Sequence, residues 1–209
     1  MEYGPPIKSR FSVSSPVDEN KQVPSACKEA IRYALSFFPE LQAIPIHFKY
    51  KKAILPVKSG PTLKSYFKQS KDRSYQVTIS EKTVWEFEPL LFQNLDFNAQ
   101  VGLIAHELAH IIQFQQYDRR QLITKWGSYF IPENRERIEQ DADKRVIEHG
   151  LGWELYAFAN RKHKAAIENP VIQYQTQFHL SPEEVLHYIQ TLNASEKANF
   201  KLDFKFNLN

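Results

Sequence analysis

The sequence predicts an α+β fold in which a small mixed β-sheet precedes a helical half. Apolar residues alternate with period two in stretches of roughly the first 80 positions, whereas from about Asn98 they recur mainly at helical spacing. The chain has 209 residues, 42% of them hydrophobic, and only six glycines, which suits one substantial core with few loose joints.

Residues 1–23 are polar and carry prolines, so they read as an extended arm, and residues 24–209 read as a single domain. A helix is expected from about Ser25 to just before Pro39, because "SACKEAIRYALSFF" is helically periodic and proline stops it. Within it Cys27, the only cysteine, reads as a small core residue and leaves no intrachain disulfide possible. "IPIHFKYKKAIL" places Ile44, Ile46, Phe48 and Tyr50 on one face of a strand. "TLKSYFKQSKDRSYQVTIS" reads as a hairpin with "QSKD" as its turn and Tyr75–Ser80 as its second strand.

Helices are then expected at about 98–116, 119–128, 134–148 and 152–166, the last two separated by Gly150 and Gly152. The last begins at "SPEEVLHYIQTL", where Ser181 serves as N-cap, Pro182 takes the first helical position and Glu184 closes a capping box. Alternation at Phe200, Leu202, Phe204 and Phe206 suggests a terminal strand. Trp126 and Trp153 are expected in the core.

A net charge of +3 is too small to argue for nucleic acid or a membrane surface. Nor is there a run of the roughly 18 apolar residues that a membrane span needs, and the first residues hold prolines and charges where a signal peptide needs an apolar stretch. A soluble cytoplasmic protein without membrane partners is therefore expected. Charge is uneven, however: between positions 41 and 80 stand Lys49, Lys51, Lys52, Lys58, Lys64, Lys68, Lys71 and Arg73 against Asp72 alone.

The chemistry concentrates in "VGLIAHELAHIIQF". On a helix, residues four apart share a face and lie about 6 Å apart along the axis, so His106 and His110 can aim two imidazoles at one point. Glu107 is rotated about 100° from His106 and suits a general base better than a ligand, because it can reach a water held by the metal. The surrounding apolar residues make burial of these three groups costly unless an ion satisfies them. With no cysteine cluster available, the ion must be held by histidine and carboxylate, and one zinc per chain is expected.

HExxH is short enough to arise by chance, so a second signal is needed. Extension to a third histidine is excluded, since Gln113 and Gln116 stand where that pattern requires Gly and His. Downstream, "RIEQDADKRVIEHG" sets Glu139 and Asp143 four apart on one helical face. Glu139 can complete the metal shell and Asp143 can accept the free ring N–H of a ligating histidine. The plainer account is a solvated charged helix, which Glu133, Glu136, Arg135, Arg137, Lys144 and Arg145 also fit.

"HELAH" followed by "EQDAD" resembles the gluzincin group of zinc metallopeptidases across about residues 75–150. The resemblance implies a zincin-like fold, zinc ligands His106, His110 and Glu139, Glu107 as general base, and Asp143 behind His106. It also implies hydrolysis of peptide bonds in a peptide or protein substrate, and an edge strand that pairs with the substrate, for which "SYQVTIS" is the candidate by order. Such a reaction needs a donor to the developing oxyanion. His149, Tyr129, Tyr156 and His179 are candidates, and His149 would need the break at Gly150 to turn it inward.

Two other classes compete. One is a zincin-like binding or regulatory module that holds zinc without proteolysis, against which Glu107 counts, because binding alone needs no base. The other is a nucleic-acid-associated protease, suggested by Phe48, Tyr50, Tyr66, Phe67 and Tyr75 interleaved with the basic residues. A solvated lysine-rich hairpin guarding a sheet edge explains the same segment more simply.

Overall fold

A computed structural model describes residues 20–206, without the side chains of Trp85, Lys125, Trp126 and residues 195–206. Most of the expected arm, residues 1–19, and the side chain of Trp126 therefore lie outside the described residues. The architecture is mixed α+β. Strands β1 (Lys21–Gln22), β2 (Ile46–Lys51), β3 (Val57–Pro61) and β4 (Tyr75–Ser80) form one sheet in the order β1-β2-β4-β3. β1, β2 and β4 run parallel, while β3 is antiparallel to β4 with Val57 opposite Ile79.

The helices are α1 (Lys28–Leu35), α2 (Phe97–Gln116), α3 (Arg119–Ser128), α4 (Pro132–Val146), α5 (Gly152–Ala166), α6 (Pro170–Thr176) and α7 (Pro182–Phe206). α1 buries Ala30, Ile31, Ala34 and Leu35, one stripe of an amphipathic helix, against the core that Cys27 also joins. α2 is apolar on nearly every side and lies in the middle of that core, between the sheet and α5. The two helices cross at Gly102, where a Cβ would stand 2.2 Å from the Glu154 carbonyl oxygen. Only glycine allows that approach.

Caps fix several boundaries. Asp96 accepts from Ala99 N–H at 3.0 Å to start α2. Ser181 and Glu184 exchange the two bonds of a capping box at 2.8 and 3.2 Å to start α7. Asn169 accepts from Val171 and Ile172 N–H ahead of Pro170, which starts α6. That Asn-Pro signal was readable, but the helix is only seven residues long, too short for periodicity to mark it.

Several sequence expectations are corrected. The hairpin exists, but its first strand is β3, and residues 62–74 hold 3-10 turns in place of a strand. Thr62, Ser65 and Ser74 hydroxyls bond to one another within 2.9 Å and tie that connection into a turn. β4 is an inner strand, so "SYQVTIS" is not an edge; the edges are β1 and β3. The terminal alternation lies on α7, which a strong N-terminal cap starts and no Gly or Pro interrupts before Phe206. Trp153 is largely exposed.

The basic segment is likewise only partly a solvated surface. Arg73 is buried, and its Nη1 donates to the Phe114 and Tyr117 carbonyls at 2.9 and 2.8 Å, closing the C-terminal end of α2. Phe48 and Tyr75 are core residues. Among the described residues no helix is long and apolar enough to cross a membrane.

Candidate metal centre

The burial of α2 carries its polar face inward, where His106 and Glu107 are 4% and 6% exposed. The rings of His106 and His110 stand edge to face with centroids 4.6 Å apart. α4 packs opposite and presents Glu139 and Asp143, both buried, one turn apart. Glu133, Glu136, Arg137 and Asp141 are exposed, so α4 carries a solvated face besides the acidic pair, while Arg135 reaches the cavity.

Each histidine is held at both ring nitrogens. His106 Nδ1–H donates to Asp143 Oδ1 at 2.8 Å and His110 Nδ1–H to Gln113 Oε1 at 2.8 Å. Gln113 is oriented by its own Nε2, which donates to the Ile138 carbonyl at 3.0 Å, so its oxygen faces the ring. Asp143 is fixed through its second oxygen by Leu180 N–H at 3.0 Å. Both Nε2 atoms then face one oxygen, Glu139 Oε2, at 3.0 and 3.1 Å.

This arrangement suits a cation. With Nδ1 committed as a donor, a neutral ring directs the Nε2 lone pair inward, and two such lone pairs converge on a carboxylate oxygen. Three acceptors facing one point repel one another unless a positive charge lies between them. Tetrahedral ligands at about 2.0–2.1 Å from zinc stand about 3.3 Å apart, close to the spacing here. His106, His110 and Glu139 accordingly form a compact three-donor group with atoms within 4.8 Å of each other.

Without a metal, the same convergence must be relieved by protons. Burial works against charge on His106, but Asp143 and Glu139 outweigh it and raise its pKa to about 10. Burial likewise works against ionised Asp143 and Glu139, but their histidine partners hold both well below the ordinary carboxylate range.

The donors open onto a cavity of about 480 Å³. Glu107 lines it, as do β3 and the residues just before it, from Leu55 to Ser59, so that sheet edge borders the site. Tyr129 O–H donates to Glu139 Oε1, leaving Oε2 directed at the histidines. Burial and Glu139 raise the Tyr129 pKa, so the phenol stays protonated. His179, on the loop before α7, has Nδ1 3.5 Å from Asp143 Oδ2 and Nε2 3.8 Å from Glu139 Oε2. Burial and nearby Lys162 depress its pKa to about 4, which keeps it neutral.

His106, Glu107, His110, Glu139, Asp143, Tyr129 and His179 thus come together. His149 does not. At Gly150, where φ is +83°, the chain turns the His149 ring onto Phe38, stacked at 4.3 Å, with Nδ1–H on the Arg145 carbonyl and Nε2 2.7 Å from Glu40. The break that sequence reasoning required is present, but it turns the ring away from the cavity. Tyr156 packs against the core beside Trp153. Gln113, Arg135 and Lys162 escaped the sequence reading as site residues. Gln113 carried a signal, being three residues beyond His110 on the same helical side, whereas the other two reach the cavity only through tertiary packing.

No protein-family model matches the chain, and no curated protein and no solved structure matches it either.

Proposed function

We propose that this protein is a zinc metallopeptidase that hydrolyses peptide bonds, with His106, His110 and Glu139 as the ligands. The observation that carries the reading is the convergence of two Nε2 atoms on Glu139 Oε2 while both Nδ1–H groups are tied to acceptors. Zinc held there would lower the pKa of a water towards 7 and polarise the scissile carbonyl.

The chain supplies the rest. Glu107 faces the cavity with no hydrogen-bond partner for its carboxylate among the described residues, so it is free to take the proton of the attacking water and pass it to the departing amine. Neutral His179, on the cavity wall beside Glu139, would donate to the developing oxyanion. Tyr129, already engaged with Glu139, orients that ligand. The open edge of β3 offers backbone donors and acceptors to an extended peptide.

The buried, unpaired Cys27 suits the reducing cytoplasm, where we place the protein. The nucleic-acid alternative is weakened by the burial of Phe48 and Tyr75, two of the five rings it needs.

The test is metal content and peptide hydrolysis together. Wild type is expected to hold one zinc per chain after dialysis, His106→Ala and Glu139→Ala to lose it, and Glu107→Gln to keep it while hydrolysis falls by about 10²- to 10⁴-fold. Zinc retained with no cleavage of a peptide library by wild type would make the protein a zinc-binding module instead.

A further inference from the structure

Lys162 helps to keep His179 neutral but has no contact of its own in the machinery above. It is 7% exposed on α5 and lines the cavity together with Glu107, Glu139 and His179. Side chains on a helix lean towards its N-terminus, and Nζ accordingly lies 5.3 Å from the ring centroid of Phe158, one turn back. Phe87, Leu90 and Leu103 complete an apolar wall around this part of the cavity.

A buried ammonium normally demands acceptors. Lys21, the other buried lysine among the described residues, shows what that demand looks like when met: its Nζ donates to the Leu41, Gln42 and Ile44 carbonyls at 3.0, 3.1 and 2.6 Å. Lys162 has no such acceptor among the described residues. The carboxylates nearest in electrostatic influence, Asp143 and Glu139, are committed to histidines. Lys58 and Arg135 line the same cavity, and Arg135 Nε is buried without a partner. The cavity therefore has more cationic side chains than free carboxylates before any metal is counted.

We propose that Lys162 is a specificity residue whose ammonium donates to a carboxylate of the substrate, so that the cavity selects peptides that bring a carboxylate to it. The inference rests on the peptidase reading for the word substrate, and it adds the chemical class. The carboxylate has two possible sources, a free peptide C-terminus or an acidic side chain beside the scissile bond. An apolar wall around a lone ammonium makes either interaction strong, because little water competes for it. Burial lowers the Lys162 pKa to about 8, which still leaves it mostly charged at neutral pH.

The test is calorimetric binding to zinc-loaded Glu107→Gln, which separates binding from turnover. The probes are N-acetylated alanine tetrapeptides with one central Glu or Gln, each made with a free or an amidated C-terminus. A version bearing a carboxylate is expected to bind about ten- to a hundred-fold tighter than the doubly neutral one, the range for a hydrogen bond to a charged group, and its identity names the source. Adding Lys162→Gln should bring the difference below about twofold, and Lys162→Arg should keep most of it.

Lys162→Met should raise the melting temperature, since it removes a buried charge that no protein acceptor serves; a structural lysine would give the reverse. Equal or absent binding of all four peptides, or a preference that survives Lys162→Gln, overturns the inference. Carboxylate preference without hydrolysis by wild type rejects the peptidase and keeps the inference, whereas hydrolysis without preference does the opposite.

Discussion

His106 and Asp143, 37 residues apart in the chain, meet through a 2.8 Å bond from Nδ1–H to Oδ1. Asp143 spends its other oxygen on Leu180 N–H, so one carboxylate joins the HExxH helix, the acidic helix and the loop that carries His179. Any shift of that loop therefore bears on the orientation of a ring in the proposed metal site.

Replacing Asp143 by Ala removes both bonds at once. Zinc affinity is expected to fall by about 10- to 100-fold, as for other partners that orient a ligating histidine. Asp143→Asn keeps an acceptor but loses the charge, and should fall between wild type and Ala. Competition with a chromogenic chelator measures both, and unchanged affinity in the Ala variant would show that His106 needs no such support.

The meeting of the candidate side chains was legible because its geometry is local: His106 with His110, and Glu139 with Asp143, are each one helical turn apart. Their meeting could be expected from chemistry, since neither pair is satisfied alone. β3 was not legible, because "VKSGP" holds both Gly and Pro, while Tyr66 and Phe67 imitate a strand where hydroxyl bonds make a turn. His149 and His179 could not be ranked either. One is turned outward at Gly150 and the other is carried in by the Leu180–Asp143 bond, both tertiary facts with no periodic trace.

Glycine positions separate packing from propensity. Gly102→Ala gains about 1 kcal/mol of helix propensity, but drives a methyl to 2.2 Å from the Glu154 carbonyl oxygen, a backbone atom that cannot swing aside. A net loss of about 1–3 kcal/mol is expected in denaturant melts, with weaker zinc binding as α2 and α5 part. Gly127→Ala, near the end of α3 with open space around it, should gain up to about 1 kcal/mol. Equal effects at the two sites would contradict the close crossing.

Tyr129 and His179 should fail in opposite ways. Tyr129→Phe strips Glu139 Oε1 of its donor and is expected to weaken zinc about tenfold, with kcat nearly intact at saturating zinc. His179→Ala should lower kcat by about a hundred-fold or more with zinc retained, as when an oxyanion donor is lost. Metal titration beside steady-state kinetics separates them. Should Tyr129→Phe lose kcat with zinc intact, the phenol would be the oxyanion donor.

The pH dependence of the metal-stripped protein follows from the signs at the same groups. The pKa of His106 rises from 6.5 to about 10 on folding, so its contribution to stability is complete below pH 6.5 and is lost as pH climbs towards 10. Glu139 and Asp143 are depressed, so theirs is present above the ordinary carboxylate range near 4 and fades in acid. His179, depressed to about 4, costs stability as pH falls below 6.5, so stability should peak near pH 6.5 and decline on either side. Zinc competes with the His106 proton for Nε2, so its affinity should rise by at least about tenfold per pH unit between pH 6.5 and 8.5, with one proton released from His106 and a second wherever His110, which Glu139 also raises against burial, is protonated. Melting curves with and without zinc across that range measure both trends, and a zinc shift independent of pH would mean that the ion displaces no proton from this histidine.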